Sequence, residues 1–155
     1  MRAIHGGLLL LRKSSPPERV RRMRIEDLAA SIDEQAGAAV SSMLRRTDFL
    51  EEHRQALAQQ RLELNPRARL KQESARSDGR WKPSRTVLEL PVGLPVAQAV
   101  DPQTAEFLAA FDGRSTARER IEALAARLGR PASEIEPGCL ELLERLLERG
   151  FLVPA

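Results

Sequence analysis

"DPQTAEFLAAFDGRSTARERIEALAARLG", residues 101–129, packs two helix starts and two helix stops into one short stretch. Asp101 ahead of Pro102 predicts an N-cap aspartate followed by a first-turn proline, a position where the missing N–H is not needed. Phe107, Leu108 and Phe111 form an apolar stripe, and Asp112-Gly113 ends that helix. Thr116 and Glu119 stand three apart, the spacing at which side chain and backbone cap each other reciprocally. Ile121, Leu124, Ala125 and Leu128 then line one face, and Gly129 supplies the stop.

Toward the C-terminus, Ser133 with Glu136 predicts a second capping box, with Pro137 in the first turn of its helix. Leu140, Leu143 and Leu147, flanked by Leu142 and Leu146, supply a broad apolar face as far as Gly150. Residues 151–153, Phe-Leu-Val, read as a terminal strand. Three short helices and a closing strand predict a winged-helix-like domain over residues 96–155.

Toward the N-terminus, Leu62, Leu64, Ala68 and Leu70 alternate with polar residues as a strand does. Ser77-Asp78-Gly79 offers a turn, with "DG" the hairpin cue. Trp81, Val87, Leu88 and Leu90 suggest the returning strand, interrupted by Pro83. Pro91, Gly93 and Pro95 form a bend, and residues 96–100 add a short strand. Residues 58–95 therefore read as a second hairpin and linker. Ahead of it a helical stretch runs from about residue 28 to 57, with Val40, Met43, Leu44, Phe49 and Leu50 on one buried face. Asp33 and Gly37 suggest a break in it.

The opening "RAIHGGLLLLRK", residues 2–13, is neither anchor nor export signal. Its four leucines fall far short of the about 20 apolar residues that span a bilayer, and no small-residue cleavage pattern follows them. A single cysteine adds nothing in favour of export, so no membrane association and a cytoplasmic location are expected. Residues 3–11 read instead as a buried strand, Ser14-Ser15-Pro16-Pro17 as its turn, and Val20, Met23 and Ile25 as a return strand. An isolated hairpin is marginal in water, so this one wants a neighbouring sheet. Residues 1–57 thus look like the remnant of a larger sheet, and self-association through the N-terminal hairpin is expected. The fold class is α+β: an N-terminal hairpin and helix, a second hairpin, then the winged-helix-like domain.

Charge is unevenly spread. Residues 1–30 carry seven basic and three acidic side chains, and residues 61–90 eight and four, while residues 91–155 carry seven and ten. The basic excess belongs to the two hairpin regions, and solvated arginines on exposed strand faces explain it more simply than a phosphate-binding patch. Five aromatic residues and no tyrosine speak weakly against a stacking surface. The third terminal helix would be the reader if the helical domain bound DNA. It carries Glu134, Glu136, Glu141, Glu144 and Glu148 against Arg145 and Arg149, so phosphate repulsion disfavours DNA.

The chemistry-bearing residues are sparse. His5 and His53 are far apart, and His53, between Glu52 and Arg54, reads as solvated surface. Cys139 reads as a small buried hydrophobe. No phosphate loop, dinucleotide fingerprint or nucleophile elbow occurs. No residue of this chain is therefore assigned a catalytic, cofactor-binding or metal-ligating role.

In order, "RAIHGGLLLLRK", "RVRRMRIEDL" and "IDEQAGAAVSSMLRRTDFLEEH" resemble the end of bacterial class I S-adenosylmethionine-dependent methyltransferases, where the last sheet strands run into a helical segment. The stretch "TAEFLAAFDGRSTARERIEALAARLGRPASEIEPGCLELLERLLERGFL" is similar to the small winged-helix module that follows the catalytic sheet. The resemblance implies a C-terminal fragment or subunit of such an enzyme, with a substrate-recognition or structural role and a methyltransferase core as partner. The glycine-rich loop and acid that hold S-adenosylmethionine in that class would lie upstream of Met1, so no cofactor is expected in this chain and the chain alone is expected to be inactive. A second resemblance links "LNPRARLKQESARSDGRWK" and the helices after it to the peptide-recognition domains of modified-peptide biosynthesis, which grip a leader peptide by β-addition.

Overall fold

The computed structural model describes residues 34–155. The opening hairpin with His5, the self-association expected of it and the start of the first helix lie outside the described residues. The described chain is α+β, with four α-helices and two antiparallel three-stranded sheets.

Helix α1, Ala36–His53, ends one turn earlier than its apolar pattern suggests, and a tight 3₁₀ helix, Arg54–Gln59, follows. Leu50 is fully buried, while Val40, Met43, Leu44 and Phe49 are half-buried at the same face. Strand β1, Arg61–Leu64, then enters the first sheet as its central strand. β5, Asp112–Thr116, pairs on one side of it and β6, Leu152–Pro154, on the other, where Leu62 lies opposite Pro154 and Leu64 opposite Leu152. Helices α3, Ala117–Leu128, and α4, Ala132–Arg149, pack together, and α1 packs on α4.

The second sheet has the order β2-β3-β4, built from Arg69–Ser77, Arg80–Leu90 and Val96–Ala99. Helix α2, Pro102–Ala109, follows β4 and starts as expected: the Asp101 carboxylate accepts from the Thr104 N–H at 2.8 Å. Thr116 and Glu119 form the capping box of α3, and Gly129 and Gly150 close α3 and α4 in the left-handed region at φ 63° and 87°.

Three sequence expectations are corrected. Residues 61–70 are two strands in different sheets, because Asn65 to Ala68 form a turn: the Ala68 N–H donates to the Asn65 carbonyl at 2.8 Å, and the Arg67 N–H to the Asn65 side chain at 3.0 Å. Helix α4 starts before Ser133. Pro131 is its N-cap residue, its carbonyl accepting from the Glu134 N–H at 3.1 Å, and Glu134 pairs with Arg130. Pro137 therefore sits inside the helix rather than in its first turn. Finally, β5 occupies the stretch taken as a plain helix stop, and it is held by long-range pairing to β1.

One core joins both sheets. Leu50, Leu57 and Leu62 meet Leu108, Ile121, Leu143, Leu146, Leu147, Phe151 and Leu152, all at most 1% exposed, and Leu88, Leu90 and Val96 extend the cluster to the base of the second sheet. The boundary expected at residues 95/96 runs through that core. Arg46 fastens α1 to the end of α4, its Nε donating to the Leu147 carbonyl at 2.9 Å. Arg149 fastens the end of α4 to β4, donating to the Gln98 side chain at 2.9 Å and the Ala97 carbonyl at 3.2 Å. No described helix is long and apolar enough to cross a membrane.

Candidate functional site

The hairpin β2–β3 departs from the rest of the fold. Every residue of β2 is exposed, and so is β3 from Arg80 to Arg85; burial begins at Thr86. β4 pairs only with Val87 to Leu90, so among the described residues the outer part of β3 has β2 as its sole strand partner. At about 3.3 Å per residue, nine-residue β2 is roughly 30 Å long. A two-stranded ribbon thus projects from a three-stranded base.

The sequence builds this arm locally. Asp78 and Gly79 both have positive φ, 52° and 75°, which is the two-residue turn whose twist matches antiparallel strands. Directly opposed residues share a face. One face carries Leu70 opposite Leu88, Gln72 opposite Thr86, Ser74 opposite Pro83 and Arg76 opposite Trp81. The other carries Arg69 opposite Glu89, Lys71 opposite Val87, Glu73 opposite Arg85, Ala75 opposite Lys82 and Ser77 opposite Arg80.

Trp81 and Leu88 are an odd number of residues apart, so a regular ladder would set them on opposite faces. The register shift between Glu73 and Ser74 absorbs Ser84 as an extra residue, whose hydroxyl donates to the Glu73 carbonyl at 3.2 Å. Such a bulge re-aims the side chains beyond it. It returns Trp81 to the face that is core-directed at the arm's base. It also accommodates Pro83, which does not interrupt β3 after all, because the ribbon's outer edge demands no N–H there. Trp81 is nevertheless 73% exposed and Leu70 52% exposed.

Electrostatically the arm is basic. Residues 69–90 hold six basic and three acidic side chains, net +3, whereas residues 91–155 carry −3. Lys71 pairs with Glu89 at 2.7 Å and Lys82 with Asp78 at 2.8 Å. Arg69, Arg76, Arg80 and Arg85 have no ion pair among the described residues. At the foot of the arm Arg67 and Arg69 border an open depression of about 360 Å³ with Gln35, Pro66 and Val92. The Arg67 guanidinium donates to the Gln35 side chain there at 3.1 Å.

Other chemistry-bearing groups are placed differently. His53 is not simply solvated: its ring stacks on Phe49 at 4.5 Å between centroids, and its Nδ1 lies 3.0 Å from the Phe49 carbonyl. Cys139 is half-buried against the core, and burial pushes its thiol pKa up, away from the reactive thiolate. Asp112 is held below the usual carboxylate range by the Arg114 N–H first and the Arg120 guanidinium next. Among the described residues, no three His, Cys, Asp or Glu side chains group as metal ligands would. The "DG" cue located the arm's turn; its projection was the missed feature. Residues 72–77, Gln-Glu-Ser-Ala-Arg-Ser, contain no large apolar side chain at either parity, which is the pattern of a strand with neither face buried.

Residues 41–154, roughly three quarters of the chain, match the family model described as a domain of unknown function, DUF7782. No curated protein matches the chain.

Proposed function

The chain belongs to the DUF7782 family, and we propose that it is the substrate-recognising part of an S-adenosylmethionine-dependent methyltransferase, contributing no catalytic group of its own. The observation that carries the recognition role is the arm: a basic ribbon, rooted in the core through Leu88 and Leu90, that carries an exposed tryptophan and arginines with no ion pair among the described residues. The methyltransferase half of the reading is supported by the resemblance of the ordered segments to the end of that enzyme class.

The described residues do not fit the cofactor itself. Their glycines stand singly in the sequence; Gly79 serves a hairpin turn, and Gly129 and Gly150 serve helix ends. A cradle for S-adenosylmethionine would have to come from outside the described residues. Peptide recognition by β-addition is the competing reading, favoured by one observation: among the described strands β2 stands at the edge of its sheet and is exposed along its whole length. Arg69, Lys71 and Arg76 on that strand weigh against it, since cationic side chains along an edge discourage strand addition.

Co-expression with the protein encoded immediately upstream tests the reading. We expect a methyltransferase core to co-purify with the chain, and calorimetry to detect S-adenosylmethionine binding to the complex and none to the chain alone. Stoichiometric cofactor binding by the chain alone, or capture of a short precursor peptide in place of a core, would overturn it.

A further inference from the structure

We infer that the β2–β3 arm binds RNA, holding backbone phosphates with its arginines and stacking an unpaired base on Trp81. The inference rests on the recognition reading above and names the substrate class for the same surface.

Three observations converge on it. First, the arm's free cations are all arginines: Arg69, Arg76, Arg80 and Arg85 lack ion pairs among the described residues, while both arm lysines are paired. Arginine presents a planar fork of donors that matches phosphate oxygens, and it is more weakly hydrated than lysine. Second, the charge is segregated, +3 on residues 69–90 against −3 on residues 91–155. Among the described residues, a polyanion is drawn to the ribbon and repelled by acidic α4. Third, Trp81 stands near the tip directly opposite Arg76, so the two share one face of the ribbon, which the bulge at Ser84 makes the face of Leu70 and Leu88. An indole 73% exposed is costly to keep in water and offers a π-face to any base.

A stacking tryptophan needs a base that is already unstacked, which a regular duplex does not offer. Loops and bulges of structured RNA present such bases beside a continuous phosphate backbone. Arg76 shares the face of Trp81, whereas Arg80, Arg85 and Arg69 lie on the ribbon's other face, Arg80 at the tip and the other two farther down. The backbone leading away from the stacked nucleotide would reach them by passing round the edge of the two-stranded ribbon. Duplex DNA could receive a two-stranded ribbon in its major groove, yet that mode leaves the indole without a stacking partner. An acidic protein surface would satisfy the arginines and, where it has an apolar pocket, would also bury the indole; that occupant is the alternative outcome of the test.

Trp81 is the sole tryptophan and the chain has no tyrosine, so emission excited at long wavelength reports on the arm tip alone. The full chain is titrated with a fluorescein-labelled RNA stem–loop, with fluorescence anisotropy and tryptophan emission followed at several salt concentrations. The comparison probes are a fully paired RNA duplex, the DNA duplex of the same sequence, single-stranded DNA and poly-glutamate. We expect the RNA stem–loop to bind most tightly and to quench Trp81. Trp81→Ala should weaken binding by about tenfold, within the range of single base–aromatic stacks, and leave the salt dependence in place. Arg76→Ala, Arg80→Ala and Arg85→Ala should each lower the salt slope by a little under one, as loss of one phosphate contact does.

Equal binding of poly-glutamate would overturn the inference in favour of an acidic protein. Tighter binding of duplex or single-stranded DNA than of the stem–loop would overturn the RNA assignment. Binding that leaves Trp81 emission and the Trp81→Ala affinity unchanged would overturn the stacking role. Circular dichroism of each variant confirms that it is folded. The titration uses neither cofactor nor core. RNA failure alongside successful core capture therefore removes this inference alone, and failure of core capture removes the methyltransferase reading alone.

Discussion

Strands β1 and β2 are separated only by the turn at Asn65 to Ala68, yet they have opposite fates. β1 has four residues and lies between two neighbours, with Leu62 completely buried; β2 has nine residues and none is buried. The body around β1 is held by apolar side chains brought from distant parts of the chain, Leu50 and Leu57 before it and Leu143, Leu147 and Phe151 long after it. The arm around β2 is held by cross-strand neighbours and a tight turn. Such a ribbon is marginal alone, and it persists because its base is part of the core and Arg149 ties the adjoining β4 to α4. The division separates residues that stabilise the body from residues that face solvent.

The body depends most on β1. Cutting at residue 96 removes the central strand of the β5-β1-β6 sheet and the apolar side chains of α1 that cover α4. Residues 96–155 alone should therefore show helix content by circular dichroism but no cooperative melting. A sharp two-state transition in that fragment would show that the helices form a self-sufficient domain. Within the intact chain, Leu62→Ala should cost about 2–5 kcal/mol in urea unfolding, the range for emptying a fully buried leucine site.

The same contrast explains what the sequence reveals. Helices α2 and α3 were legible because their caps are local: Asp101 with Thr104, Thr116 with Glu119, and Gly129 just past the end. The arm's turn was legible through Asp78-Gly79 for the same reason. β5 was not, since nothing near Asp112–Thr116 announces a partner some fifty residues earlier in β1. The split of residues 61–70 did have a local sign in Asn65-Pro66, a turn-prone pair, but the run of alternating leucines outweighed it. The start of α4 was misplaced because two capping patterns compete there, and the Arg130–Glu134 pair with the Pro131 carbonyl prevails. The projecting arm was hardest to see, since exposure depends on where the body ends.

A smaller effect is expected at α2, where a polar group contributes to the body's stability. The Asp101 carboxylate accepts from the Thr104 hydroxyl at 2.6 Å and from its N–H at 2.8 Å, and the Thr104 side-chain bond is the first cause of its lowered pKa. Asp101→Ala should cost about 1 kcal/mol, as loss of an N-cap does. Because the folded pKa lies below the unfolded one, this group's stabilisation is full above the unfolded value, near 4, and fades as pH falls through the folded value. Asp101→Asn keeps a capping side chain and cannot titrate, so its stability should fall less steeply than wild type across that acid range. Parallel acid limbs for the two proteins would show that the aspartate's charge has no part in the cap.

The smallest expected effect belongs to the arm tip, and it tests the division most directly. Trp81 is the largest side chain in the protein, and in the body an aromatic truncation would cost several kcal/mol. At 73% exposure, opposite Arg76 on a ribbon that buries nothing beyond Thr86, it has little packing to lose. Trp81→Ala should therefore shift the unfolding free energy by no more than about 0.5 kcal/mol, the ordinary range for surface substitutions. Circular dichroism follows the transition, since the variant has no tryptophan to report it. A loss comparable to that of Leu62→Ala would mean that the indole is packed in solution, and the arm would then belong to the body. An unchanged midpoint leaves the indole with no role in stability, as a residue kept for contact with a partner would be.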